Sequence, residues 1–118
     1  MSSQKRLLII GGMIGLLGVA IGAFGSHGLS SLLEANGRGA TFDTGVQYHL
    51  IHALALVLVG ILQGKSLAHP AFNRAGYFFI AGIIFFSGSL YILSIFDIGI
   101  MGAVAPIGGT SFILGWGS

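Results

Sequence analysis

The stretch TGVQYHLIHALALVLVG, residues 44–60, decides the fold. Its second half is apolar enough to lie in a bilayer, and the run continues to Gln63 without a charged residue. About 20 mostly apolar residues are enough to cross the hydrocarbon core as a helix. The first half nevertheless carries Gln47, Tyr48, His49 and His52, groups that are costly to leave unpaired in lipid. A membrane helix that begins this way needs partners for those side chains, and other helices must supply them.

The rest of the chain has the same character. Of 118 residues, 54% are hydrophobic and only 7% are charged; mean hydropathy is +0.95. A soluble domain carries about 25% charged residues, so the solvent around this chain is lipid. Three further runs are long enough to cross, giving spans near 7–24, 44–63, 75–96 and 98–116. The fold class is therefore all-α: an integral membrane four-helix bundle, with residues 1–118 forming one membrane domain. The first run follows Lys5 and Arg6, as the apolar part of a cleaved leader would. It exceeds the usual 7–15 residues of such a leader, and three more spans follow, so it is expected to remain as a span.

Basic residues set orientation. Lys5 and Arg6 precede the first span, and Lys65 and Arg74 lie between the second and third; only Arg38 falls on the other face. Both termini are expected inside and the 26–43 connection outside. That connection contains SSLLE, with Ser31 and Glu34 at capping-box spacing, Leu29, Leu32 and Leu33 on one side, and a stop at Asn36-Gly37. It predicts a short interfacial helix between spans 1 and 2. Thr44 and Gln47 repeat the capping-box spacing at the start of span 2.

Helices in lipid associate by close packing and interhelical hydrogen bonds, so small residues mark their interfaces. In span 1, Gly11, Gly15, Gly18, Gly22 and Gly25 fall on one stripe, widened by Gly12 and Ala23. Packing against another span of the same chain is the simpler reading; a second copy packed there as a homo-oligomer is the alternative. Span 4 carries a similar stripe of Gly99, Gly102, Pro106 and Gly109, with Pro106 expected to kink the helix.

At about 100° per residue, Tyr48, His52 and His49 lie near 0°, 40° and 100° on span 2 and share a face. His27 follows span 1 on the same outer side. Span 3 brings Ser87, Tyr91 and Ser94 at i, i+4 and i+7, with Asp97 at its outer end. His27, Tyr48, His49, His52, Ser87, Tyr91 and Asp97 thus form a candidate polar cluster near the outer face, with His52 expected to bond Tyr91 or His27. Polar groups at membrane depth face protein and pair there, so the cluster first reads as glue between helices. The alternatives are a small-ligand site for a quinone, a lipid or a metal, or a proton-linked site, since imidazole titrates near neutrality. A metal would draw on His27, His49, His52 and Asp97, a set without motif spacing, so no metal site is assigned.

No cysteine is present, which removes disulfides and thiolate sites. No nucleophile elbow, Walker motif or dinucleotide fingerprint frames a catalytic residue. Net charge is +2, and the largest basic cluster is Lys5-Arg6, which argues against nucleic acid. No catalytic residue and no cofactor is assigned, and the expected partners are membrane lipids.

Four stretches together resemble a known family. GAFGSHGL (22–29), TGVQYHLIHALAL (44–56), FFSGSLYIL (85–93) and APIGGTSFILGW (105–116) look like the small four-span membrane proteins grouped as domain of unknown function 423, which include transmembrane protein 256. The matching positions are His27, Tyr48, His52, Ser87, Gly88, Ser89, Tyr91, Pro106, Gly108 and Gly109; His49 departs from the pattern. The resemblance implies a multi-pass protein of the bacterial inner (plasma) membrane, with a mitochondrial membrane as the alternative, and it implies no activity. It also implies a fourth helix continuing past Trp116, where this sequence stops at Ser118. The leading functional expectation is a non-enzymatic packing, assembly or lipid-interacting protein.

Overall fold

A computed structural model describes residues 2–64 and 69–118; Lys65 and the middle of the 64–74 connection lie outside them. Ser2 caps the first helix by accepting from the Lys5 N–H. That helix, α1 (Ser3–His27), carries the first apolar run beyond its expected bounds at both ends. After two residues α2 (Ser30–Ala35) follows, then α3 (Gly39–Gln63). The third span is α4 (Pro70–Gly82), a π-helical segment Ile83–Ser87 and α5 (Gly88–Phe96). The fourth opens as a 3-10 segment, Gly99–Ala103, and continues as α6 (Ala105–Gly117). No strand occurs among the described residues. Four helical rods are long and apolar enough to cross a membrane, and the 51 Å long axis exceeds the roughly 30 Å hydrocarbon core.

Several local expectations are corrected. The helix α2 starts at Ser30, not after Ser31, and its N-cap, Leu29, makes no side-chain cap bond. The Ser31–Glu34 capping box is absent, because the chain leaves α1 too directly to set Ser31 outside the helix. The end of α2 is as expected. Gly37 has φ +65, its N–H bonds Glu34 O, and the Arg38 N–H bonds Leu33 O, the paired closure that a left-handed glycine permits. Thr44 does not cap α3, which begins at Gly39; its hydroxyl donates back to Ala40 O. Pro106 does not kink a helix. It lies in the first turn of α6, where a missing N–H costs nothing.

Consecutive spans are neighbours: α1 lies along α3, α3 along α4 and α5, and α4 along α6. The glycine stripe of α1 faces α3. A Cβ on Gly11 would lie 2.9 Å from Val57, and one on Gly18 would lie 2.7 Å from Leu50. On Gly22 it would meet Val46 at 3.1 Å, and on Gly25 it would collide with the Phe42 ring. Gly15 has only Ala53 nearby, and Gly12 faces open space. In α6 the packed small residues are not the predicted set. Gly99 and Gly102 face open space, while a Cβ on Gly108 would strike the Phe86 backbone and one on Gly115 the Phe79 ring. Ser111, between them, donates to Phe78 O at 2.7 Å. Apolar packing concentrates in Leu7, Leu56, Phe79, Ile83 and Phe112 toward one end and in Leu90, Leu93 and Ala105 toward the other.

Candidate functional site

The polar side chains of α3 sit deeper than their sequence positions suggest. Because α3 starts at Gly39, His52 is at mid-helix, roughly 20 Å from that end at 1.5 Å per residue. Both histidines are buried, His49 at 5% exposure and His52 at 3%.

His49 joins three spans. One ring nitrogen, Nε2, lies 2.7 Å from Ile14 O of α1, and the other, Nδ1, lies 2.7 Å from the Tyr91 hydroxyl of α5. A carbonyl only accepts, so Nε2 carries the hydrogen, and in the neutral ring Nδ1 accepts from Tyr91. Two glycines make room. The ring rests on Gly18, whose Cβ would lie 3.0 Å from His49 Cδ2, and the Tyr91 ring rests on Gly45, whose Cβ would lie 3.1 Å from Tyr91 Cε1. Gly45 O in turn accepts from the buried Ser87 hydroxyl at 2.8 Å. Ser94 donates within its own helix, to Leu90 O.

His52 makes a separate junction. Its Nδ1 is 2.7 Å from Tyr48 O, one turn back, and its Nε2 receives the Trp116 indole N–H at 3.0 Å. An indole N–H only donates, so Nε2 is bare and Nδ1 carries the hydrogen, the opposite tautomer to His49. The ring stacks on Phe112 at 3.7 Å and meets the edge of Phe79 at 5.4 Å. The partner of His52 is therefore Trp116 of α6, neither Tyr91, which His49 takes, nor His27.

The remaining predicted residues lie apart. His27 is exposed at the end of α1, and its side chain has no hydrogen-bond partner among the described residues. Asp97 is exposed and pairs with Arg38 at 3.4 Å. Tyr48 is 40% exposed and leans on Phe86, ring centroids 4.9 Å apart; its hydroxyl has no partner among the described residues. Among the described residues no three His, Cys, Asp or Glu side chains gather as a metal set, so His27, His49, His52 and Asp97 are not one site. Sequence reasoning missed Trp116, Phe112 and Asn36. The Asn36 amide donates to Ser94 O and Ile95 O at 3.0 and 3.3 Å, satisfying two end carbonyls of α5. The small residues Gly108, Ser111 and Gly115, at i, i+3 and i+7, were the available signal for the packed face of α6.

α6 meets α3 chiefly through side chains, and a cleft of about 620 Å³ opens there, lined by Tyr48, His52, Phe86, Thr110, Phe112 and Trp116 among others. Its size falls in the range of small-molecule sites.

Four apolar rods closed around paired polar groups define a small multi-pass α-helical membrane protein. The chain belongs to the family described as protein of unknown function DUF423, whose profile matches residues 21–109. It is 45% identical over 113 residues to the UPF0382 membrane protein YwdK of Bacillus subtilis, covering 96% of this chain and 91% of that one. It is 39% identical over 113 residues to the UPF0382 membrane protein SH2409 of Staphylococcus haemolyticus, covering 96% and 90%. The UPF0382 membrane protein SAB0533 of Staphylococcus aureus matches at 39% with the same coverage. No solved structure matches the chain.

Proposed function

We propose that this is a non-enzymatic protein of a bacterial plasma membrane, with both termini inside, that acts through its lipid-facing exterior on lipids or partner proteins. One observation carries this reading. All four ring nitrogens of His49 and His52 are engaged by groups of the same chain. A metal, a substrate or a migrating proton would have to break one of those bonds first. The histidines therefore serve as fasteners, each suited to a membrane interior where an unpaired polar ring is costly. The location follows the Bacillus and Staphylococcus relatives, and the orientation follows the basic residues at the α1 and α4 starts. The test is thermal melting in detergent with and without zinc or copper(II). Melting unchanged by metal, with His52→Gln melting within a few degrees of the parent, is the expected result. A metal-induced rise that His52→Gln abolishes would overturn it.

A second reading is favoured by the cleft beside Tyr48. A free phenolic hydroxyl over an aromatic wall suits a membrane-dissolved amphiphile with a carbonyl acceptor. Trp116 is the only tryptophan and lines the cleft, so a short-chain quinone bound there should quench its emission saturably. Tyr48→Phe should weaken that quenching; linear, non-saturating quenching in both proteins would remove this reading.

A further inference from the structure

The side-chain charges of the bundle are sorted by end. Glu34, Asp43 and Asp97 all lie at the end that carries α2, together with Arg38. At the other end the described residues offer Lys5, Arg6 and Arg74 and no side-chain carboxylate. Among the described residues, none of those cations forms an ion pair.

One of them bonds a tyrosine, and another lines the groove beside that tyrosine. Arg6 of α1 donates through Nη1 to the Tyr77 hydroxyl at 2.9 Å. Arg74 stands one turn before Tyr77 on α4, exposed and without a partner among the described residues. A guanidinium has five N–H donors, so Arg6 keeps four after bonding Tyr77, and Arg74 keeps all of its own. Below them runs a groove of about 360 Å³ lined by Arg74, Tyr77, Phe78 and Ala81. From Arg74 to Ala81 the helix rises about 10 Å, so the groove starts at the headgroup level and ends among acyl chains. Cationic donors at the mouth and an apolar floor below match one kind of molecule.

We infer that this groove binds an anionic phospholipid, its phosphate held between Arg6 and Arg74 and one acyl chain laid against Phe78 and Ala81. Paired guanidinium forks suit phosphate oxygens better than a point charge does. Tyr77 holds the Arg6 fork at the interface, where tyrosine is at home. The site stands on residues that the closed histidine junctions do not use, so it can fail while the reading above holds, and the reverse.

The experiment measures phosphatidylglycerol retained by the purified protein in mild detergent, by native mass spectrometry, against phosphatidylcholine. One phosphatidylglycerol per chain should be held well above phosphatidylcholine. Arg6→Gln and Arg74→Gln should each lower its affinity about fivefold, the effect of one basic residue near an anionic surface. Lys5→Gln removes the same charge outside the groove and should change affinity less than twofold. Ala81→Phe fills the groove without changing charge and should abolish the preference, with helicity by circular dichroism checking the fold. Millimolar inorganic phosphate should not displace the lipid. Equal losses in Lys5→Gln and Arg74→Gln would reduce the effect to general charge. Undiminished binding in Ala81→Phe, or displacement by inorganic phosphate, would overturn the groove as a lipid site.

Discussion

The indole N–H of Trp116 donates to Nε2 of His52 across 3.0 Å, tying α6 to the middle of α3. That bond and the Phe112 stack at 3.7 Å hold the two helices together beside the cleft. Trp116→Phe should therefore destabilise the bundle by about 0.6–1.7 kcal/mol, the range for hydrogen bonds between membrane helices. His52→Leu should cost more, because the indole N–H is then left unpaired, and it should move the emission of this sole tryptophan to shorter wavelength. Emission unchanged in His52→Leu would show that the pair does not form.

The His49–Tyr91 contact is testable by a double-mutant cycle. Tyr91→Phe keeps the ring beside Phe42, 5.5 Å between centroids, and removes only the hydroxyl. It should cost about 1 kcal/mol in chemical or thermal unfolding. Combined with His49→Leu, the two losses should be less than additive. Strict additivity would mean that the hydroxyl and the ring are not coupled.

Gly18 and Gly12 lie on opposite terms with their surroundings. A side chain at Gly18 meets Leu50 and His49, whereas one at Gly12 meets nothing within 4 Å. Gly18→Val should lower stability by about 1–3 kcal/mol, the cost of overpacking, and should also strain the His49 bonds. Gly12→Val should melt with the parent or slightly above it. Equal melting of the two variants would show that the stripe of α1 does not pack on α3.

Much of this arrangement was legible in the sequence, and the misses have a common cause. Apolar runs gave four spans, and the spacing of Gly11, Gly18, Gly22 and Gly25 gave the face that meets α3. A helical wheel supplies phase but not depth. With α3 extended back to Gly39, His52 moves to mid-helix, level with the far part of α6, so Trp116 reaches it while His27 stays exposed at the end of α1. Pro106 was misplaced because the tight turn after Asp97 continues as a 3-10 segment through Ala103, leaving proline in the first turn of α6. Neither the π-helical turn nor the Asn36 clasp has a composition signal, since both arise from how neighbouring helices fit.

Orientation is checked by reporter fusions. A cytoplasmic reporter should be active after Gly64, and an export-dependent one after Arg38, as the distribution of Lys and Arg requires. The reverse pattern would place α2 and the Arg38–Asp97 pair in the cytoplasm.

The Asn36 clasp should behave locally. Asn36→Ala frees Ser94 O and Ile95 O from their amide donor, and α2 buries only Leu33. Hydrogen exchange in residues 30–38 should quicken severalfold while the global melting temperature moves little, as expected for a low-stability unit. A large drop in global melting would mean that α2 is integral to the bundle.

The widened turn at Ile83–Ser87, closed by the Gly88 N–H on Ile83 O, acts as a phase offset between two half-rods. Everything beyond it is set in angle by the number of residues it contains. Deleting one residue there would rotate α5 by about 100° relative to α4. Tyr91 would swing away from His49, and the carbonyls that Asn36 clasps, about 5 Å further along the axis, would turn with it. A change of length by a single residue in this turn is thus converted into rotation and uncouples the outer half of the third span from α3 and α2 together.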